Sequence, residues 1–136
     1  MSLSGEWTGV YEYADDPRDP VPFNATLTDV GGVIWGETQE PNTFSPGADK
    51  HLTADISGIR TRAELRFRKE YTGRPPGARH PIDYFGHVTA DGQRIEGRWQ
   101  IHVPGVKWGG KFIMNRHPER AKAKTRQAAE TLDIDI

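Results

Sequence analysis

The chemistry open to this 136-residue chain is limited by what it lacks. It contains no cysteine, which excludes a thiolate nucleophile, a thiolate metal site and a disulfide framework. Its five histidines, His51, His80, His87, His102 and His117, show neither H-x-H nor H-E-x-x-H spacing, so no metal site is expected. A G-x-S-x-G elbow, a phosphate-binding loop and a dinucleotide fingerprint are all absent from the sequence, and no cofactor is expected. Acid–base work would fall to His80, Glu40, Asp15 or Asp16, with His80 the one group that titrates near neutrality. A single histidine at a loop edge is more often a hydrogen-bonded rim residue. Lys69 could anchor the charged end of a ligand or pair with Glu40; an ion pair at a wet rim, worth little, is the plainer expectation.

The elements that must position these groups are strands. Apolar and small residues recur at alternate positions over 6 to 13, 22 to 29, 32 to 39, 51 to 57, 60 to 71, 80 to 89, 93 to 102 and 106 to 115. Three tight connections set the pairing. A two-residue turn at Asp91-Gly92 faces Val88 with Ile95, Gly86 with Gly97 and Tyr84 with Trp99. One at Gly58-Ile59 sets Ala54 against Ala63 and Leu52 against Leu65, and one at Val30-Gly31 sets Leu27 against Ile34. All three give the same apolar face. The intervening connections, Ala14 to Val21, Glu40 to Lys50 and Thr72 to Arg79, are long and fall at the opposite end. Eight consecutive strands with these connections predict an all-β fold, an antiparallel up-and-down barrel with a closed base and a loop-fringed mouth. Residues 1 to 116 form this domain. Residues 117 to 136 are expected to be a helix and tail, opened by Pro118 and rich in Ala, Lys and Arg.

On this register, 10 of the 13 aromatic residues face inward. Each strand also brings a Gly or Ala near its middle, which either bends the sheet or leaves room beside large rings. A barrel of eight strands can be filled by side chains or hold one small ligand. Tyr11, Tyr13, Tyr71 and Tyr84 collect in the upper half, where their hydroxyls need partners. The residues expected to line a pocket are Tyr11, Tyr13, Phe67, Lys69, Tyr71, Tyr84, Trp99 and Trp108.

The first strand opens with Gly5-Glu6-Trp7, which looks like the G-x-W pattern of lipocalins, and the last strand ends in Arg116. In that family an arginine from the end of the last strand packs over the tryptophan, and Arg116 matches it. The chain thus resembles the calycin group of lipocalins, fatty-acid-binding proteins and avidins. The resemblance implies a barrel with an interior pocket, and a helix after the barrel, without specifying what the pocket holds. Ile82-Asp83-Tyr84 starts at the mouth end of its strand and is not equated with the lipocalin T-D-Y motif.

The leading expectation is a non-enzymatic binding protein that holds a small, mostly apolar or aromatic ligand. A filled barrel acting as a protein-interaction module is the alternative, and a small enzyme with a mouth-located acid or base the third. With 18 basic and 19 acidic residues, the net charge of −1 argues against nucleic acid or an anionic membrane as a general partner. The stripe of Arg62, Arg66 and Arg68 on the outer face of strand five finds an ordinary explanation in cross-strand carboxylates. Outward Val10, Trp35, Phe85 and Ile113 would mark a self-association surface if they cluster. No apolar run reaches the roughly 20 residues of a membrane span. A cytoplasmic location is expected, with a processed signal peptide left open.

Overall fold

The computed structural model describes residues 1–44, 50–75 and 77–117, with the side chains of His102, Val106 and Lys107 left aside. The expected C-terminal helix lies outside the described residues. Eight strands run in chain order: β1 (Gly5–Tyr11), β2 (Val21–Val30), β3 (Val33–Pro41), β4 (His51–Thr61), β5 (Glu64–Tyr71), β6 (Ile82–Val88), β7 (Arg94–Val103) and β8 (Val106–Arg116). Each pairs antiparallel with its neighbours, and β8 returns to pair with β1, closing the barrel. Buried and exposed residues alternate strictly along β5, and along β2 with only Thr28 half-buried on the outer face, as a one-sided sheet requires. No helix among the described residues is long and apolar enough to cross a membrane.

One of the three expected registers holds and two shift. Val88 faces Ile95 and Tyr84 faces Trp99 as expected, although the turn is not the two-residue form. The amide of Gly92 donates to the carbonyl of Thr89 at 2.9 Å and Gly92 alone takes a positive φ, 72°. Between β2 and β3 the turn falls one residue later, on Gly31 and Gly32, whose φ angles are 59° and 91°. Val30 pairs with Val33 instead, because a β-branched residue tolerates the left-handed region poorly. Ile59 fails for the same reason. The β4–β5 connection moves to Arg62 and Ala63, setting Ala54 against Tyr71 and Ile56 against Lys69. Both shifts move partners by an even number of residues, so every side chain keeps its face.

Glycines allow neighbouring strands to approach closely. A Cβ at Gly110 would lie 1.6 Å from the carbonyl oxygen of Glu12, and one at Gly97 would lie 1.9 Å from that of Phe85. Neither backbone could approach a side chain so closely, so these positions must be glycine for neighbouring strands to cross there.

The base is sealed by the residues that precede β1. Leu3 is fully buried, and its carbonyl accepts the indole N–H of Trp7 at 2.9 Å. The Leu3 amide donates to Asp29 Oδ2 at 2.9 Å, and the same oxygen accepts from Arg60 Nε at 2.9 Å. Burial works against the Asp29 carboxylate, yet the Arg60 guanidinium and the amides of Leu3 and Gly32 hold its pKa below the usual carboxylate value. The guanidinium of Arg116 lies 4.6 Å from the Trp7 ring centroid and donates to the carbonyls of Ser4 and Ser2, both at 2.8 Å. The tryptophan–arginine pair implied by the G-x-W resemblance is therefore present, and at the base it fastens the last strand to the first and to the residues that precede it. Replacing Arg116 with Ala removes a cation–π contact and several charge-assisted hydrogen bonds, and should lower stability by about 2–4 kcal/mol. Urea melts should show this as a lower midpoint with unchanged slope. Arg116→Lys should recover less than half, since an ammonium cannot fork between two carbonyls while stacking on a ring.

Candidate functional site

The polar groups of the upper barrel converge on Glu40. Inward parity on β3 runs Ile34, Gly36, Thr38, Glu40, and because β3 continues to Pro41 the carboxylate is held inside the wall, not in the loop. Lys69 on β5 points across to it. Their side chains are 0 % and 2 % exposed, which replaces the expected wet-rim salt bridge with a sealed one. The ammonium of Lys69 donates to Glu40 Oε1, the hydroxyl of Tyr71 donates to the same oxygen at 2.9 Å, and that of Tyr11 donates to Oε2 at 2.5 Å. Four residues from β1, β3 and β5 thus form one hydrogen-bonded cluster.

Aromatic rings enclose the cation. Lys69 Nζ stands 4.7 Å from the ring centroid of Tyr71 and 5.0 Å from that of Tyr11, with Phe23 and Tyr84 each at 5.8 Å. Ring faces are electron-rich and compensate part of the lost hydration. Burial lowers the pKa of Lys69, and the charge and hydrogen bond of Glu40 offset that only in part. Burial raises Tyr11 and Tyr71, and the neighbouring Glu40 charge pushes both further; Tyr84 is raised by the same two causes. Removing an ion pair from water costs several kcal/mol per ion, and an apolar pair of equal volume is often at least as stable.

Beside this cluster lies an unmet polar atom. Thr38 is buried, and its Oγ1 has no hydrogen-bond partner among the described residues. Its register neighbours are Ala25 on β2 and Ala54 on β4, so the wall next to Glu40 is built from small side chains.

The expected lining residues separate into three groups. Tyr11, Lys69 and Tyr71 meet at Glu40. Phe67 and Tyr84 lie below them, stacked with centroids 4.6 Å apart, and Phe112 sets its edge against Tyr84 at 5.0 Å. Tyr13, Trp99 and Trp108 belong to the mouth. Tyr13 and Trp99 meet edge to face at 5.1 Å, and the indole N–H of Trp99 donates to the carbonyl of Glu12. Trp108 is 45 % exposed, beyond the rim, where Arg18 sits 5.2 Å from its ring and 5.1 Å from that of Tyr13. His80 is exposed and faces solvent instead of the interior. Among the described residues no group of His, Asp and Glu is arranged to hold a metal.

Three contributors lie outside the expected pocket lining, one of them Glu40, which is expected instead as a candidate acid or base and a partner for Lys69. Glu40 was placed at a loop edge although its parity with Thr38 marks it as inward. Phe44, from the connection after β3, packs edge-on against Tyr71 at 5.9 Å, and Ala78 is buried in the connection after β5. Loop residues carry no period, so nothing in their spacing identifies them.

Glu40→Gln should cost about 3–5 kcal/mol by leaving the buried cation without a counter-charge. Glu40→Leu combined with Lys69→Met should recover most of that loss, less what the two tyrosine hydroxyls forfeit with their acceptor. All four tyrosines, Tyr13 included, are held above 10.0 in the folded chain, chiefly by burial. Above pH 10.0 the unfolded chain releases phenol protons that the folded chain keeps, so stability is lost as pH rises beyond that point. Lys69 acts oppositely below 10.5, where the unfolded chain holds the extra proton, but one group is outweighed by four. Phenolate absorbance should therefore appear cooperatively with alkaline unfolding; a simple titration centred near 10.0 would contradict the burial of these rings. Neither a scan against protein-family models nor a search of curated proteins finds a match to this chain, so the reading of the site rests on its own residues.

Proposed function

We propose that this protein binds a small, mostly apolar or aromatic molecule in the upper barrel, with the ligand's polar group directed to the Glu40 cluster. The observation that carries this reading is the sealed Glu40–Lys69 pair with the unpartnered Thr38 hydroxyl beside it. A barrel that only had to fold would gain from apolar side chains at these positions, whereas a container with a few convergent polar groups orients its contents. Phe67, Tyr84 and Trp99 supply contact area. Tyr13 and Trp108, bridged by Arg18, stand at the entrance together with Phe44.

A second reading, a filled barrel that recognises another protein on its surface, draws on two observations. Phe67, Tyr84 and Phe112 pack against one another across the lower interior. At the base, Val30, Val33 and Ile59 are register neighbours on β2, β3 and β4, all more than half exposed, with Trp35 next to them on β3. Contiguous exposed aliphatics of this kind suit association, with another copy of the chain or with a different protein.

Native mass spectrometry of gently purified protein, compared with its denatured mass, separates the two readings. Under the first, an adduct is lost on denaturation, and Tyr71→Phe or Thr38→Val reduces its occupancy at least tenfold while the fold persists by circular dichroism. An unliganded mass, together with no fluorescence response to an added anilinonaphthalene sulfonate probe that depends on Tyr71, would overturn it. Loss of a dimer on Trp35→Ser or Ile59→Ser would favour the second.

A further inference from the structure

The exposed aliphatic patch at the base has an arrangement that selects its occupant. Val33 and Ile59 are direct register partners on β3 and β4, and both are more than half exposed. Val30 flanks Val33 on β2, and Trp35 follows Val33 on the same face of β3, one step toward the mouth. Burying such a contiguous patch favours any partner with apolar surface of its own, so charge must decide between partners. Two exposed charges border the patch at opposite corners. Glu37 lies on β3 one step beyond Trp35, and Arg62 lies at the base in the connection from β4 to β5. Glu37 stands opposite Asp55, which stands opposite Glu70, so like charges adjoin it along the row. Among the described residues, Glu37 has no cation within ion-pair distance and Arg62 has no carboxylate. Glu64, two residues from Arg62, is engaged by His87 at 3.0 Å.

A two-fold axis normal to the wall and midway between Val33 and Ile59 carries this surface onto itself. Each Val33 then meets the Ile59 of the second copy, and each Val30 meets the alkyl stem of Arg66, the register partner of Ile59 on β5. Trp35 falls over Thr61, at the base end of β4, and Glu37 falls opposite Arg62 in the connection that follows. Symmetry repeats each contact. Apolar groups meet apolar groups, and the two charges that lack partners meet their opposites. A different protein would have to reproduce that pattern, whereas a second copy of this chain already carries it. We propose that the patch is the isologous interface of a homodimer, in which the Glu37 carboxylate of each copy pairs with the Arg62 guanidinium of the other. This rests on reading the patch as an association surface, the second reading above, and names its partner. The axis reverses the direction of one barrel relative to the other, so the two mouths point apart and the pairing leaves both loop-fringed ends free.

Charge reversal tests the pairing by sedimentation equilibrium of the full chain. The unaltered chain should dimerise in the micromolar range. Glu37→Arg alone, or Arg62→Glu alone, should weaken the dimer at least tenfold, because each sets like charges against each other twice. Both reversals in one chain should recover most of that loss, and an equimolar mixture of the two single variants should form the heterodimer at comparable strength. Both positions are exposed, and thermal melts of each variant establish that the barrel is intact. A dimer that ignores the single reversals, or that the double reversal fails to restore, would overturn the pairing while its loss on Ile59→Ser would still keep the patch as its interface. A chain that stays monomeric would also overturn the pairing and would leave the patch to a different protein. A dimer that survives Ile59→Ser would overturn both the pairing and the reading of this surface.

Discussion

Closure of the sheet is the constraint from which the rest of this structure follows. Once β8 pairs with β1, every inward side chain must share one narrow interior, and every inward polar group must find its partner there. Two inward carboxylates meet that demand in the same way. Asp29 on β2 reaches Arg60 on β4, and Glu40 on β3 reaches Lys69 on β5, so each ion pair passes over one intervening strand. The first ties the base and keeps its arginine partly in water. The second sits within a cage of rings, and its electrostatics are those of the interior.

That difference divides the barrel into a structural end and a chemical end. At the base, Asp29 also collects the amides of Leu3 and Gly32, so its negative charge organises a plug and a turn. In the upper half, the charge of Glu40 is met by an ammonium and two phenols, all donors that a ligand's polar group could exchange with. The Thr38 hydroxyl is the one buried side-chain polar atom left over among the described residues, and it lies on the same strand as Glu40.

Much of this was legible in the sequence, and the exceptions have physical reasons. Face assignment survived two wrong turns because side-chain direction depends only on parity, and both errors were even. The turns are less legible, because a glycine beside Val30 or Ile59 signals a bend without fixing its position, and neither β-branched residue adopts positive φ readily. Trp7 and Arg116 were paired correctly because their positions at the two ends of the sheet leave them a common base. Asp29 and Glu40 carried a readable signal, an acidic residue on an inward parity, which demands a cation on a nearby strand. The Leu3 plug, Phe44 and Ala78 carried none, since each lies outside the periodic segments and is placed by tertiary packing alone.

The clamp of Arg116 on the carbonyls of Ser2 and Ser4 joins residues 114 and 112 positions apart. Synthesis proceeds from one end, so β1 and the plug emerge first and their final partner emerges last. Until β8 is available, a nascent chain presents two unpaired edges and an apolar inner face, the combination that invites pairing between chains. Almost the whole domain must be made before its first strand is protected. The same contact that seals the finished barrel thus sets the interval during which the unfinished one is exposed.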